Sequence, residues 1–590
     1  MTATPWGFRD ILPEEAQARE DIALTVRGIL KGHGYLPVET PLLEHRDALG
    51  GGGRIADTPF KLFDDDGRFL VVRPDNTLPI VRMVASRLDA ARLPLRLRYD
   101  APVVRTAPRN TGASRQVTQL GFELIGAGGI EGDAEVVRCA AEVAQALDLP
   151  DWRVVCGSVQ PYQELLAHCA DTGLARRALE LVHLNNLVDL DELVEGGSEP
   201  PALKRAVREL PRLCGGAEVL VRARELLEGA GADARSVGEL GALAERLASE
   251  APAAAERLSF DFSIVNSFGY YTGLVCKVYA AGIPESIGSG GRYDEVFDGA
   301  VEGMPRVPAA GFAFSLERLE AAVAERMAGA AAAPAVDGDA GREGGSPAAP
   351  SAAAAPAAAA VPSPAAPPVR IAVPKGSLNG DTLRVLEAAG LDVGPLRDPG
   401  RHLMFTVRDR LEGPDSIGDV EYIIVRAQDA PAFVSCGGAD CGICGRDSLI
   451  EADCNLLQLV DLRFGACRFI EAEPAAAYAA GATERAYARR GTLRVATKYP
   501  RIAGAWYAGR GVNADILTLH GNIELGPIVG MADRIVDITA TGTTLRENDL
   551  VVTGEIMTCT ARFFASPGRA RLDPRVRVLA ARLADVVQRG

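Results

Sequence analysis

The chain is short of lysine, of aromatic residues and of long apolar runs, and it has no surplus of positive charge. Its 63 basic residues include only six lysines, Lys31, Lys61, Lys204, Lys277, Lys375 and Lys498. Arginine occupies nearly every other basic position, so a retained lysine marks a place where a compact, mobile ammonium serves better than a planar fork. The formal net charge of -15 argues against a surface built to coat nucleic acid, which needs clustered basic charge. No uninterrupted apolar run reaches the roughly 18–20 residues that span a bilayer, and the first ten residues lack the apolar core of a signal peptide. Eleven cysteines in 590 residues show no disulfide framework, which fits a reducing, cytoplasmic setting.

The chain is too long for one hydrophobic core, since single cores rarely exceed about 250–300 residues. A seam is visible at residues 330–368, a run dominated by Ala and Pro with no Leu, Ile or aromatic residue. Such a segment cannot drive burial, and its prolines interrupt helix, so it reads as a semi-extended tether. It divides the chain into modules at 1–329 and 369–590.

In the first module, strand-like segments at 69–72, 95–99, 122–125 and 260–279 are separated by mainly helical sequence over about 160–250, and a last helix is expected from Phe314 to Met327. Strands grouped apart from helices predict an α+β module with a largely antiparallel sheet. In the second module, strand patterns at 369–372, 420–425, 493–497, 516–519 and 534–538 alternate with helical ones, which predicts α/β.

The sharpest motif of the second module is Asp537-Ile538-Thr539-Ala540-Thr541-Gly542-Thr543-Thr544. An apolar strand ends in an acid and runs into a glycine–hydroxyl turn. Glycine allows close backbone approach, and hydroxyls with successive amides wrap a phosphate. The carboxylate suits a sugar diol, so the pair reads as a ribose 5-phosphate site; a threonine-rich turn that merely ends the strand is the competing reading. Lys375 and Arg426 each follow an expected strand, where α/β folds place ligands. With Arg401 and Lys498 they suit a substrate carrying several phosphates. Cys441 and Cys444 form a CxxC without a second pair or a nearby histidine, and read as buried thiols rather than a zinc or redox site.

Residues 371–378 (IAVPKGSL), 425–434 (VRAQDAPAFV), 438–447 (GADCGICGRD), 494–500 (RVATKYP) and 521–545 strongly resemble the short-form catalytic subunit of ATP phosphoribosyltransferase. The resemblance implies a two-lobed α/β fold like the periplasmic binding proteins, with Asp537, Thr541, Gly542, Thr543 and Thr544 at phosphoribosyl diphosphate. It implies Lys375, Arg401 and Arg426 near the diphosphate and ATP, Glu524 facing substrate, and Mg²⁺ on the diphosphate. The implied reaction joins N1 of the ATP adenine to C1 of phosphoribosyl diphosphate and releases diphosphate, the first step of histidine biosynthesis. No protein metal ligands are implied, and nothing of the long form's regulatory domain is expected after the last helix.

Residues 72–77 (VRPDNT), 104–126, 269–273 (GYYTG), 290–294 (GGRYD) and 311–319 (GFAFSLERL) resemble the core of histidyl-tRNA synthetase, a class II fold. The resemblance implies a histidine pocket at Asp75, Thr77, Arg105, Gln119, Glu123, Tyr270 and Tyr271. The departures are informative. Ala107 stands where the family has a motif-2 glutamate, and Asn266 and Gly269 replace the arginine and aspartate before the paired tyrosines. The pattern, with no anticodon-binding domain, is similar to the regulatory subunit of ATP phosphoribosyltransferase. A fusion of regulatory and catalytic subunits is therefore expected, inhibited by histidine and binding no nucleic acid or membrane. Its expected assembly is a homo-oligomer, a tetramer equivalent to the family's hetero-octamer. The alternatives are an active synthetase and a histidine-binding protein whose second module is inert.

Overall fold

A computed structural model describes residues 4–46, 60–87, 93–106, 113–264, 271–297, 307–332, 366–540 and 542–589. The chain opens with the helix Pro13–Gly32, which has Pro at its first turn and buries Ile22, Val26 and Leu30 at helical spacing. Its end is followed by Gly34 at φ +81°, a left-handed conformation that glycine adopts without penalty.

The first half is built on a nine-stranded sheet. Its spatial order is Leu36–Pro37, Leu95–Val104, Gln116–Ile125, Ala309–Ser315, Gly288–Arg292, Leu274–Tyr279, Arg153–Ser158, Leu258–Asp261 and Cys214–Gly215. The sheet is mixed rather than wholly antiparallel: six of its eight pairings are antiparallel and two are parallel. Leu36–Pro37 runs parallel to Leu95–Val104, and Arg153–Ser158 runs parallel to Leu258–Asp261. The second pairing is possible because the helical insertion from Gln160 to Ala255 supplies the long crossover that parallel strands require. Phe314 also belongs to a strand: the following helix starts at Leu316 and continues to Ala332, past the point where the tether was expected to begin. Most of the tether, residues 333–365, lies outside the described residues.

The second half forms two sheets. One has six strands, in the order Met404–Arg408, Asp419–Arg426, Val369–Lys375, Cys441–Gly445, Ala561–Ala565, Leu457–Asp461. The other has five, in the order Ala514–Thr518, Leu493–Thr497, Arg534–Thr539, Cys467–Pro474, Leu550–Cys559. The chain passes between the sheets twice, from Asp461 to Cys467 and from Cys559 to Ala561.

The halves are packed together. A continuous cluster of buried apolar side chains includes Phe122 and Val154 of the first sheet, Leu190 and Leu210 of the insertion, and Leu457, Leu579 and Leu583 of the second half. Polar contacts reinforce this seam. Arg446 pairs with Asp189 at 2.6 Å, and Gln458 N donates to Asn185 O at 2.9 Å. Among the described residues no helix is long and apolar enough to cross a membrane.

Candidate functional site

The first site is a cavity on the nine-stranded sheet, lined among others by Asp75, Thr77, Tyr99, Arg105, Gln119, Glu123 and Tyr271. Gln119 and Glu123 sit four apart on one strand and so share a face. Thr77 begins the helix Thr77–Arg87, and its hydroxyl donates to Glu123 Oε1 at 2.9 Å. Tyr99 OH donates to the same oxygen at 3.2 Å, and Tyr293 OH donates to Glu123 Oε2. Asn76 Nδ2 donates to Gln119 Oε1 at 2.7 Å, and Arg105 Nε donates to Pro74 O at 2.7 Å.

Backbone room for this network comes from Gly311, the register partner of Glu123 on the neighbouring strand. A Cβ at Gly311 would lie 1.7 Å from Glu123 Oε2, so no other residue leaves the carboxylate in place. Electrostatics tie the binding of a cation here to the loss of a proton. Burial pushes Glu123 up to about 8; the hydroxyl donors pull the other way and neighbouring Asp75 adds to the rise. Burial also raises Asp75, with Arg105 drawing it back. Two carboxyls disfavoured as anions, beside amide and hydroxyl groups, can take an ammonium and a ring N–H.

Of the expected pocket residues, six are brought together here; Tyr270 lies outside the described residues, as do Ala107, Asn266 and Gly269. Tyr99 lies inside the strand expected at 95–99, while Asn76, Tyr293 and Gly311 lie inside the quoted family-like stretches. Adjacency to chosen residues was the available signal for the latter three; their side-chain roles depend on strand pairing that the sequence does not display.

The second site lies at the C-terminal ends of parallel strands in the second half, where α/β folds carry their ligands. Lys375 and Arg426 end adjacent parallel strands and are register partners, so their side chains leave side by side on one face, both exposed. Arg401 is exposed on the turn before Met404–Arg408. On the five-stranded sheet, Asp537 lies on Arg534–Thr539 and Lys498 directly follows Leu493–Thr497. Asp537 is pushed up to about 6 by burial; the Ile538 N–H and Lys498 pull it down, and Glu524 pushes it up. Asp537 therefore feels both Lys498 and Glu524, which come from two other segments.

Gly542 adopts φ +70° and its N–H donates to Thr539 Oγ1 at 2.9 Å, closing the turn that leads into Thr543–Glu547. Thr543 and Thr544 open that short helix, and Thr541 lies outside the described residues. Cys441 and Cys444 are buried free thiols, both pushed up by burial.

Comparison with known proteins separates the halves in the same way. The family model of histidyl-tRNA synthetase matches residues 7–319, and that of ATP phosphoribosyltransferase matches residues 426–585. The second half is similar to the ATP phosphoribosyltransferase of Rubrobacter xylanophilus, 48% identical over 204 residues that cover 35% of this chain and 89% of the relative. The first half is similar to the ATP phosphoribosyltransferase regulatory subunit of Bacillus pumilus, 34% identical over 322 residues that cover 54% of this chain and 81% of the relative. Among solved structures, an ATP phosphoribosyltransferase regulatory subunit/histidyl-tRNA synthetase from Bacillus halodurans aligns with a TM-score of 0.50 and 32% identity, over 55% of this chain and 83% of that one. The chain therefore belongs to the histidyl-tRNA synthetase family in its first half, in the form of the regulatory subunit, and to the ATP phosphoribosyltransferase family in its second, a regulatory module fused to the short-form enzyme of histidine biosynthesis.

Proposed function

We propose that residues 369–590 transfer the phosphoribosyl group to ATP between the two sheets of the second half, arranged as two lobes in the manner of periplasmic binding proteins, and that residues 1–329 bind histidine and use it to inhibit the transfer. The observation that carries the catalytic reading is the register pairing of Lys375 with Arg426 at adjacent strand ends. Two neighbouring cations suit the diphosphate of phosphoribosyl diphosphate or the phosphates of ATP, and Arg401 adds a third. On the five-stranded sheet, Asp537 accepts the ribose hydroxyls and the turn through Thr541, Gly542, Thr543 and Thr544 takes the 5-phosphate. Glu524 faces the substrate from the segment before Leu525–Ile528.

Adenine N1 attacks C1 of the ribose as the bond to diphosphate breaks. No covalent protein intermediate is required. The protein aligns two anionic substrates and stabilises the charge that gathers on the departing diphosphate. Mg²⁺, if bound, would supply charge neutralisation at that diphosphate. Mg²⁺ prefers few protein ligands and retained waters, so it would travel with its substrate.

In the first half, Glu123, Asp75, Thr77 and Gln119 hold the histidine ammonium and imidazole, Arg105 balances Asp75, and Tyr270 and Tyr271 close the pocket. The chain acts in the cytoplasm as a homotetramer, equivalent to four regulatory and four catalytic subunits. The test mixes ATP, phosphoribosyl diphosphate and Mg²⁺, follows the absorbance of the adduct, and then titrates histidine. Adduct formation that falls with histidine is expected, together with no histidine-dependent ATP–diphosphate exchange. Exchange without adduct would identify a synthetase instead, and histidine binding without adduct would mean that the second module is inert.

A further inference from the structure

One segment of five residues, 283–287, belongs to both the pocket and the seam. At one end, Ser286 and Ile287 line the cavity that holds Glu123. Arg318, also in the cavity wall, donates through Nη1 to Ser286 O at 2.6 Å and pairs with Glu285. At the other end, Pro284 O accepts two hydrogen bonds from the second half, from Ser566 Oγ at 2.8 Å and from Gly568 N at 3.1 Å. Ser566 caps the short helix Pro567–Leu572. A Cβ on Gly568 would lie 2.7 Å from Pro284 O and 2.9 Å from Ile283 O, so glycine at 568 is what lets the two backbones meet.

The same helix is gripped a second time at its far end. Arg571 Nε donates to Asp261 Oδ2 at 2.6 Å, with the two side chains 3% and 0% exposed. Asp261 also accepts from Ser263 Oγ at 2.6 Å, and Arg571 donates to Ser263 Oγ at 3.1 Å. A charge pair this deeply buried holds position sharply, because moving either partner strands the other without water.

On its catalytic side the helix is tied to the strand that ends in Lys375. Ser566 N donates to Asp440 O, Arg569 Nε donates to Asp440 Oδ1 at 2.7 Å, and Asp440 Oδ2 accepts from Arg370 N at 2.8 Å. Arg370 is the second residue of Val369–Lys375. The pocket wall, the helix and the Lys375 strand are thus joined by consecutive hydrogen bonds.

We propose that the helix Pro567–Leu572 is the coupling element between the histidine pocket and the catalytic module, held through Pro284 at its start and Asp261 near its end. The proposal rests on the reading of the cavity as the histidine site. Occupancy of the pocket changes the preferred position of segment 283–287, and the contact at Pro284 passes that preference to the helix. Asp261, Ser566, Gly568 and Arg571 are positioning residues; none touches the proposed substrates.

The test is Gly568→Ala in the full chain, a wedge at the contact that alters no charge and no proposed ligand contact. Histidine affinity is measured by calorimetry, and turnover with and without saturating histidine by the adduct assay. Coupling between two sites is typically 5–150-fold, so saturating histidine is expected to slow the parent within about that range and the variant by less than about twofold. Histidine affinity is expected to stay within about threefold of the parent's, which a loss of pocket structure would not allow. If the thermal midpoint shows that Gly568→Ala is unfolded, Ser566→Ala, which removes the hydroxyl donated to Pro284 O, is judged by the same criterion. A folded variant as inhibitable as the parent overturns the coupling role. A parent that fails to bind histidine overturns the pocket reading instead, and this proposal with it.

Discussion

Replacing Glu123 by glutamine should change how the stability of the protein depends on pH. In the folded chain burial holds this carboxyl up at about 8, against an ordinary 4.5. Between those values the folded state keeps a proton that the unfolded state has lost, so the favourable contribution is complete below about 4.5 and disappears as pH rises towards 8. At about 1.36 kcal/mol per pH unit the whole span is worth roughly 5 kcal/mol, of which about 4 kcal/mol falls between about pH 5 and 8.5. Glutamine fills the same volume, accepts from the hydroxyls of Thr77 and Tyr99, and carries no charge to desolvate. Urea unfolding of parent and variant at those two pH values isolates the group, since every other titrating residue is shared. The variant is expected to gain about 4 kcal/mol on the parent across that interval. A difference constant to within about 0.5 kcal/mol would refute the reasoning; it would mean that the three hydroxyl donors outweigh burial and keep Glu123 ionised throughout. A second readout follows at neutral pH. A cationic ligand that binds an ionised Glu123 must displace its proton, so calorimetry in two buffers of different protonation enthalpy should show histidine binding with release of close to one proton.

Lys375→Ala and Arg426→Ala should each lower turnover by about 10²–10³-fold, as removal of a charge-stabilising donor does, while histidine binding by calorimetry survives; full activity in both would sink the site assignment. Asp537, held up at about 6, should accept ribose hydroxyls well only above that value. The KM for phosphoribosyl diphosphate is then expected to rise about tenfold per pH unit below 6, and Asp537→Asn should abolish that slope. Gly311→Ala, whose Cβ would fall 1.7 Å from Glu123 Oε2, should remove histidine binding and lower the stability of the protein by about 1–3 kcal/mol, seen as a lower thermal midpoint.

Local chemistry was the legible part of this sequence. The acid followed by a glycine–threonine turn and the strand-end lysine can be read within a few residues, because a strand end and a turn are short-range structures. Strand segments such as Phe69–Val72 and Leu493–Thr497 are bounded in the structure as their apolar patterns suggest. The long edge strand Leu550–Cys559 is not readable that way, since its residues are largely half-buried or exposed and no alternation marks it. The parallel pairings of the first sheet depend on crossovers tens of residues long, and periodicity says nothing about them. The seam is hidden for a related reason: Asp261 is one acid among 78, and only the fold brings it to Arg571. The lysine scarcity was a partial guide. Lys375 and Lys498 stand at strand ends, but Lys277 is held down at about 8 in the seam, chiefly by burial and then by neighbouring Arg571.

Asp261 and Arg571 are separated by 310 residues. At a synthesis rate of roughly 5–20 residues per second, the arginine leaves the ribosome about 15–60 s after the aspartate. For that time the first half has a carboxylate in place with no guanidinium to meet it, beside apolar surface that the second half will cover. A nascent chain in this condition stays open to water at the seam and to any chaperone that reads exposed apolar groups. The order in which the two halves are made, and the pace of translation through the tether, therefore set how long the protein passes through its most vulnerable state.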